Sequence, residues 1–98
     1  GVNIVSKKGT AVRNVFNGKV LYTGKLEGYG NIVIIGHGKD YHSLYGHLDD
    51  IITKVGKSVL PGQIIGRSGD TGSIIGESLY FEMRYKGLPV EPTAWLIK

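Results

Sequence analysis

Four polar side chains at two-residue spacing mark the stretch from residue 78 to residue 84. The polar residues are Ser78, Tyr80, Glu82 and Arg84, and the apolar residues between them are Leu79, Phe81 and Met83. Because successive side chains of a strand point to opposite faces, this alternation predicts a strand with one face in the core. The other face, with its hydroxyl, phenol, carboxylate and guanidinium, is either a ligand-binding row or an ordinary solvated surface.

The three histidines, His37, His42 and His47, are the other side chains suited to proton transfer or metal binding. His37 and His42 lie five residues apart across a turn, and we interpret both as structural or surface residues. A hydrolytic zinc site needs about three protein ligands, usually imidazole or carboxylate, and an open position for water. The chain has no cysteine, which excludes a disulfide framework and a thiolate zinc site.

The elements that must position these residues are short β-rich runs separated by glycine-containing turns, which predicts an all-β domain. Asn17-Gly18 and Lys86-Gly87 are typical hairpin turns, and Gly38-Lys39-Asp40 links two further strands. We expect single helical turns at Asp49–Thr53 and Pro92–Leu96. The predicted strands are Ala11–Val15, Lys19–Thr23, Asn31–His37, Tyr41–Tyr45, Ile64–Ser68, Ser78–Tyr85 and Leu88–Val90.

Length and composition favour one compact domain over residues 1–98. The formal net charge of +4 favours an acidic partner, but no basic run of the kind that marks nucleic-acid binding is present. No apolar run approaches the length of a membrane span. Because the chain begins at Gly1, we expect a C-terminal piece of a longer envelope protein, with its targeting signals upstream.

The Ser78–Arg84 strand resembles a motif of the LytM-type zinc metallopeptidases, the lysostaphin-like M23 family. In that family the stretch reads His-Leu-His-Phe-Glu, where the second His binds zinc and the first assists catalysis. Ser78 and Tyr80 occupy those two positions here. A Ser-Leu-Tyr-Phe-Glu version followed by an arginine is similar to the degenerate LytM domains of EnvC-type murein hydrolase activators.

Further motifs carry the resemblance in family order over nearly all of the chain. They are Gly1-Val-Asn3, Gly9-Thr-Ala-Val12, Asn17-Gly-Lys-Val20, the Gly-Tyr-Gly strand from Gly28 to His37, Tyr45-Gly-His-Leu48, the run from Val59 to Gly66, Gly69-Asp-Thr-Gly72, Val90-Glu-Pro92 and Trp95-Leu96. The resemblance implies a duplicated-hybrid, barrel-sandwich-like all-β fold with a long surface groove.

The resemblance also implies a groove without zinc or catalytic residues. The family supplies His, Asp and His as ligands; the first would lie before residue 1, and Asn3 and Tyr80 replace the others. His47 keeps the place of a catalytic histidine, but without a metal we interpret it as a groove residue. The full set of expected groove residues is Asn3, Tyr29, Ile32, Tyr45, His47, Ser78, Tyr80 and Arg84.

The function implied is that of a non-catalytic LytM domain in the periplasm or cell envelope. It would bind and activate a peptidoglycan amidase during cell division by accepting the amidase's regulatory helix in the groove. Two alternatives remain: a module that binds peptidoglycan peptides directly, and an active zinc endopeptidase whose missing histidine lies upstream.

Overall fold

A computed structural model describes residues 1–91, and every regular element in that range is a β-strand. The prediction of an all-β fold is confirmed. The same residues contain no helix long and apolar enough to cross a membrane. The strands are β1 (Val2–Val5), β2 (Ala11–Arg13), β3 (Gly18–Leu26), β4 (Gly30–Gly38), β5 (Tyr41–Ile51), β6 (Ser58–Val59), β7 (Ile64–Ser68), β8 (Ser78–Tyr85) and β9 (Leu88–Val90).

The strands form an antiparallel sheet whose main order is β1-β8-β5-β4-β3-β6. The long strand β5 pairs with β8 along its first half and with β7 along its second half. β2 joins the sheet through β7, and β9 pairs with β8. The strand that carries the polar row therefore lies between β5 on one side and the short strands β1 and β9 on the other.

One hydrophobic core contains buried side chains from every strand from β2 to β8. Phe81 and Met83 of β8 are fully buried, which confirms the predicted apolar face of this strand, and Leu79 packs against the same cluster. The remaining buried members of the cluster are Val12, Val20, Val33, Ile35, Tyr45, Leu48, Val59 and Ile65.

Strand prediction succeeded where alternation and turn chemistry agree. The bounds of β8 and β9 are those predicted, and Lys86 and Gly87 join them with φ angles of 53° and 80°, the left-handed conformation that a tight hairpin requires. Gly38-Lys39-Asp40 joins β4 to β5 as expected. Val2–Val5 and Ser58–Val59 were not predicted, because both are short strands that depend on distant partners, β8 and β3.

Two local predictions are wrong. Asn17-Gly18 does not close a hairpin, since β2 pairs with β7 rather than with β3. The helical turn expected at Asp49–Thr53 is absent, because β5 continues to Ile51 and bonds to β7 instead. The turn expected at Pro92–Leu96 lies outside the described residues.

Phe81→Ala should lower the free energy of unfolding by about 3–5 kcal/mol, because it removes a fully buried ring from the core. Phe16→Ala is the matched control, since the same substitution is made at a ring that is 43% exposed. Denaturant melts of both variants measure the difference. Equal losses at the two positions would contradict the assignment of Phe81 to the core.

Candidate functional site

A cleft of about 270 Å³ opens beside Tyr80 on the polar face of β8, and we call it the Tyr80 cleft. It is lined by Asn3, Gly28, His47, Gly72, Ser73, Ile74, Ile75 and Tyr80. The rings of Tyr29 and His47 lie beside the Tyr80 ring, with centroids 5.1 Å and 6.1 Å away. The structure thus brings together four of the eight expected groove residues: Asn3, Tyr29, His47 and Tyr80.

Strand register explains why these residues meet. In β1, Asn3 lies directly opposite Tyr80, and on the other side of β8 Tyr80 is opposite Gly46 of β5. A Cβ atom on Gly46 would lie 3.3 Å from the Tyr80 Cβ, so a glycine here leaves space for the tyrosine. Side chains at directly opposed positions share one face of a sheet, so Asn3 and Tyr80 reach the same cleft.

An extra residue in β5 brings His47 to this cleft and leaves Tyr45 in the core. Asn31 and Val33 of β4 pair with Leu48 and Tyr45, so three steps along β5 match two along β4. His47 lies in this β-bulge and has a φ angle of 60°. Simple alternation would have put Tyr45 and His47 on one face, as we expected; the bulge separates them.

Tyr45 is therefore not a groove residue, contrary to the prediction. It lies opposite Phe81, with the two ring centroids 5.4 Å apart, and is 1% exposed. Its hydroxyl accepts hydrogen bonds from Ser43 and from the backbone N–H of Val15. Burial raises the pKa of this phenol to about 12, which keeps it neutral as part of the core.

Two further expected groove residues offer no surface to a ligand. Ser78 is fully buried, and its hydroxyl donates to the carbonyl of Gly76 at 3.3 Å in the preceding loop. Ile32 shares the face of Ile34 by alternation along β4 but is also completely buried. Both predictions are wrong because strand parity gives the face of a residue and not whether that residue is covered.

A buried carboxylate links Tyr80 to Arg84. Glu82 is 3% exposed; its Oε1 accepts a hydrogen bond of 2.7 Å from the Tyr80 hydroxyl, and its Oε2 forms an ion pair with Nε of Arg84. The Arg84 Nη1 also donates to the carbonyl of Gly87 at 3.2 Å. Both carboxylate oxygens of Glu82 are therefore satisfied, as a buried charge requires.

The pKa values of the three groups follow from this arrangement. Burial and the adjacent Glu82 carboxylate raise the pKa of Tyr80 well above its ordinary value, so the phenol keeps its proton. Burial alone would raise the pKa of Glu82, but the hydrogen bonds from Arg84 and Tyr80 outweigh it and lower that pKa. The hydrogen bond to Glu82 raises the pKa of Arg84 further.

Arg84 opens onto a second cleft of about 330 Å³, which we call the Arg84 cleft. Its lining is mostly apolar: Leu26, Ile34, His42, Ser43, Leu44 and Arg84. Glu82 lies opposite Leu44, and Leu44 opposite Ile34, so an apolar row crosses the sheet beneath this cleft. Tyr80 and Arg84 have the same strand parity, so the two clefts lie on the same face of β8, and Glu82 bonds to one lining residue of each.

The donors in the Tyr80 cleft do not fit a hydrolytic zinc site. Asn3 offers a neutral amide, and Tyr80 a phenol whose proton is donated to Glu82. His47 Nδ1 lies 2.7 Å from the carbonyl oxygen of Thr71 and donates to it, which leaves one imidazole nitrogen free to accept. Among residues 1–91, no three His, Cys, Asp or Glu side chains come together as metal ligands.

Several residues of the site were not predicted. Glu82 was placed on the polar face but not among the groove residues; its position two residues from both a phenol and a guanidinium is the signal that could have identified it. Ile74 and Ile75 are 101% and 59% exposed and line the Tyr80 cleft. The two adjacent isoleucines lie between Gly72 and Gly76, and that composition was also available from the sequence.

Glu82→Gln should lower the free energy of unfolding by about 1–3 kcal/mol near neutral pH, because a charged acceptor for two donors is lost. The folded-state pKa of Glu82 is lowered, so its contribution is present above the ordinary value of 4.5 and is lost as the pH falls through the folded value. The two proteins should therefore converge in acid. Denaturant melts across pH test this, with exposed Glu27→Gln as control; a constant difference would contradict the ionised network.

Comparison with known proteins identifies the family to which this fold belongs. Residues 1–92 match peptidase family M23. The chain is 41% identical over 97 residues to the murein hydrolase activator NlpD of Escherichia coli, covering 98% of this chain and 25% of that protein. It is 40% identical over 96 residues to the murein hydrolase activator EnvC of the same organism, covering 98% and 23%. The chain thus spans about a quarter of the length of these relatives.

Among solved structures, the catalytic domain of the antimicrobial peptidase lysostaphin from Staphylococcus simulans superimposes with a TM-score of 0.91. The match covers 100% of this chain and 78% of that domain, at 29% identity. The expected LytM-type fold is therefore confirmed, with a sheet shared by a catalytic relative. With a family match over residues 1–92 and two relatives at about 40% identity, the chain belongs to peptidase family M23.

Proposed function

We propose that this chain is a non-catalytic M23 domain that binds a peptidoglycan amidase and activates it. The observation that carries the proposal is the Tyr80–Glu82–Arg84 network. At the position where the family resemblance places a zinc-binding histidine, the chain has a phenol whose proton is donated to a buried carboxylate. A side chain held in this way serves a fixed binding surface better than it serves a metal.

The names of the relatives support the same conclusion. NlpD and EnvC are murein hydrolase activators, and the similarity to each covers 98% of this chain. An activator needs no hydrolytic chemistry of its own. It needs only a higher affinity for the active state of the hydrolase than for the inactive one.

The two clefts suggest how such a preference could arise. An amphipathic regulatory helix of the amidase would place apolar side chains against Leu26, Ile34 and Leu44 in the Arg84 cleft. The guanidinium of Arg84 is part-exposed and would donate hydrogen bonds to a carboxylate of the same helix. Docking here would keep the helix away from the amidase's active site and so favour the active state.

We further propose that the chain is one domain of a longer protein located in the periplasm or cell envelope. The relatives that it matches are about four times as long, and one relative from Haemophilus influenzae is called an outer membrane antigenic lipoprotein. Murein lies in that compartment, and an activator of its hydrolysis must reach it there.

Two other functions would use the same surface. A direct peptidoglycan ligand would place its peptide in the Tyr80 cleft, and sacculi would then bind this chain without any amidase. A zinc endopeptidase would cleave cross-linked peptidoglycan unaided. Co-sedimentation with purified sacculi and release of peptides from them separate these two functions from amidase activation.

Purified chain dialysed against trace zinc should retain well under one equivalent of metal, because neither Asn3 nor protonated Tyr80 is a good zinc ligand. The double variant Asn3→Asp, Tyr80→His is the control, since it restores a carboxylate and an imidazole and should retain more zinc. Elemental analysis measures both. A stoichiometric, tightly held ion in the unmodified chain would exclude a metal-free site.

Leu26→Asp should reduce activation of the amidase at least ten-fold, because it places a charge in the apolar Arg84 cleft. Leu26 is 40% exposed, so the fold should tolerate the change. The control is Leu60→Asp, the same substitution at a 67% exposed leucine between β6 and β7, far from β8 in the sheet order. Release of dye from labelled sacculi by the amidase measures activation; equal activity of both variants would place the contact surface elsewhere.

A further inference from the structure

We infer that His47 is a positioning residue that fixes one wall of the Tyr80 cleft, rather than a group that contacts the partner. The wall is the loop between β7 and β8, residues 69–77, which carries Ile74 and Ile75. This inference rests on the proposed function and extends it, since it makes Ile74 and Ile75 of the Tyr80 cleft a second contact for the regulatory helix beside the Arg84 cleft. It gives His47 a role that needs no metal.

The first part of the loop is held tightly against β4 and β5, and Thr71 is where the contacts converge. Its carbonyl oxygen accepts the 2.7 Å hydrogen bond from Nδ1 of His47. Its hydroxyl donates to the carbonyl of Leu48 at 2.7 Å and accepts from the backbone N–H of Asn31 at 3.1 Å. These three bonds fasten the loop to two neighbouring strands.

The close approach of the backbones depends on two glycines. A Cβ on Gly30 would lie 2.1 Å from the Thr71 carbonyl oxygen, and one on Gly72 would lie 2.4 Å from the Gly30 nitrogen. Both residues also have positive φ angles, of 70° and 66°. The contact between the loop and the start of β4 is therefore built into the backbone, and the His47 bond lies directly beside it.

Beyond Gly72 the loop is bonded mainly to itself, with the Ile75 N–H donating to Ser73 Oγ at 3.3 Å, and it exposes its apolar residues. Ile74 is fully exposed and Ile75 is 59% exposed, and both line the cleft. The loop resumes contact at its end, where Ser78 N–H donates to the carbonyl of Gly69 at 3.0 Å. The position of the two isoleucines is thus set by the 70–72 segment at one end of the loop and by the contacts of Glu77 and Ser78 at the other.

The backbone conformation of His47 places its ring against the carbonyl of Thr71. Its N–H donates to the carbonyl of Tyr29 at 2.7 Å, and its φ of 60° directs the ring out of the regular alternation of β5. With 6% exposure, the imidazole has little surface to offer a partner. Because a carbonyl oxygen can only accept, the Nδ1 atom carries the proton in the neutral ring.

Three variants separate the hydrogen bond from the backbone effect. His47→Gly removes the side chain at a position where glycine adopts positive φ readily, so no strain is added. His47→Asn tolerates the same φ and puts an amide N–H near the place of Nδ1, so it should restore the bond. Thr71→Val removes the hydroxyl bonds but keeps the carbonyl that faces His47.

Amide hydrogen exchange of the isolated chain reports the loop position without any partner. The N–H of Asn31 bonds to the Thr71 hydroxyl and that of Ser73 to the Asp70 carbonyl. In His47→Gly both should exchange about five-fold faster, in keeping with the loss of one hydrogen bond, while Ser78 at the base of the loop should not change. His47→Asn should restore protection. Thr71→Val should expose the Asn31 N–H to exchange but keep the hydrogen bond from His47 Nδ1 to the carbonyl of position 71, which ¹⁵N NMR of the ring detects.

Activation of the amidase by the same folded variants completes the test. The expected order is unmodified chain, then His47→Asn, then His47→Gly, with the last at least five-fold lower. Unchanged exchange at Asn31 and Ser73 in His47→Gly would overturn the inference, whatever the activity. Faster exchange with full activation would also overturn it, because the loop would then be irrelevant to binding. If the unmodified chain activates no amidase, the proposed function fails instead, and the exchange data still decide whether His47 positions the loop.

Discussion

The buried carboxylate of Glu82 bonds to Tyr80 and to Arg84, and so orients one lining residue of each cleft. Burying a charge is costly unless donors surround it, and here the donors come from positions two residues before and two residues after it on the same strand. Tyr80 and Arg84 are consequently held in fixed orientations in adjacent clefts. A surface whose polar side chains are already ordered loses less conformational entropy when a partner binds.

A single extra residue in β5 determines which side chains accompany that network. Without the bulge at His47, regular alternation would put the imidazole in the core beside Tyr45 and Phe81. With it, Tyr45 and Leu48 both face the core, and the intervening Gly46 and His47 face Tyr80. The site therefore depends on two local departures from regular strand geometry, the bulge itself and the absence of a side chain at Gly46.

The sequence predicted the parts of the structure that depend on local pattern. Alternation placed Phe81 and Met83 in the core, and the Lys86-Gly87 turn fixed the β8–β9 hairpin. Errors arose where a distant segment decides the outcome. Tyr45 was misplaced because a bulge is invisible to parity counting, and Ser78 because a loop covers it. Asn17-Gly18 has the composition of a hairpin turn, yet β2 finds its partner in β7, more than fifty residues away.

Together, the polar residues of β8 fit a zinc ion less well than any one of them does alone. A tyrosine can bind a metal only after it loses its proton, and Glu82 raises the cost of that loss because the phenol would then face a second negative charge. Arg84 lowers the pKa of Glu82 and so keeps its negative charge beside the phenol. The phenol and the guanidinium converge on this face, since they bond to the two oxygens of a single carboxylate. One hydrogen-bonded network thus keeps the proton on the phenol and orders the polar side chains on this face of β8.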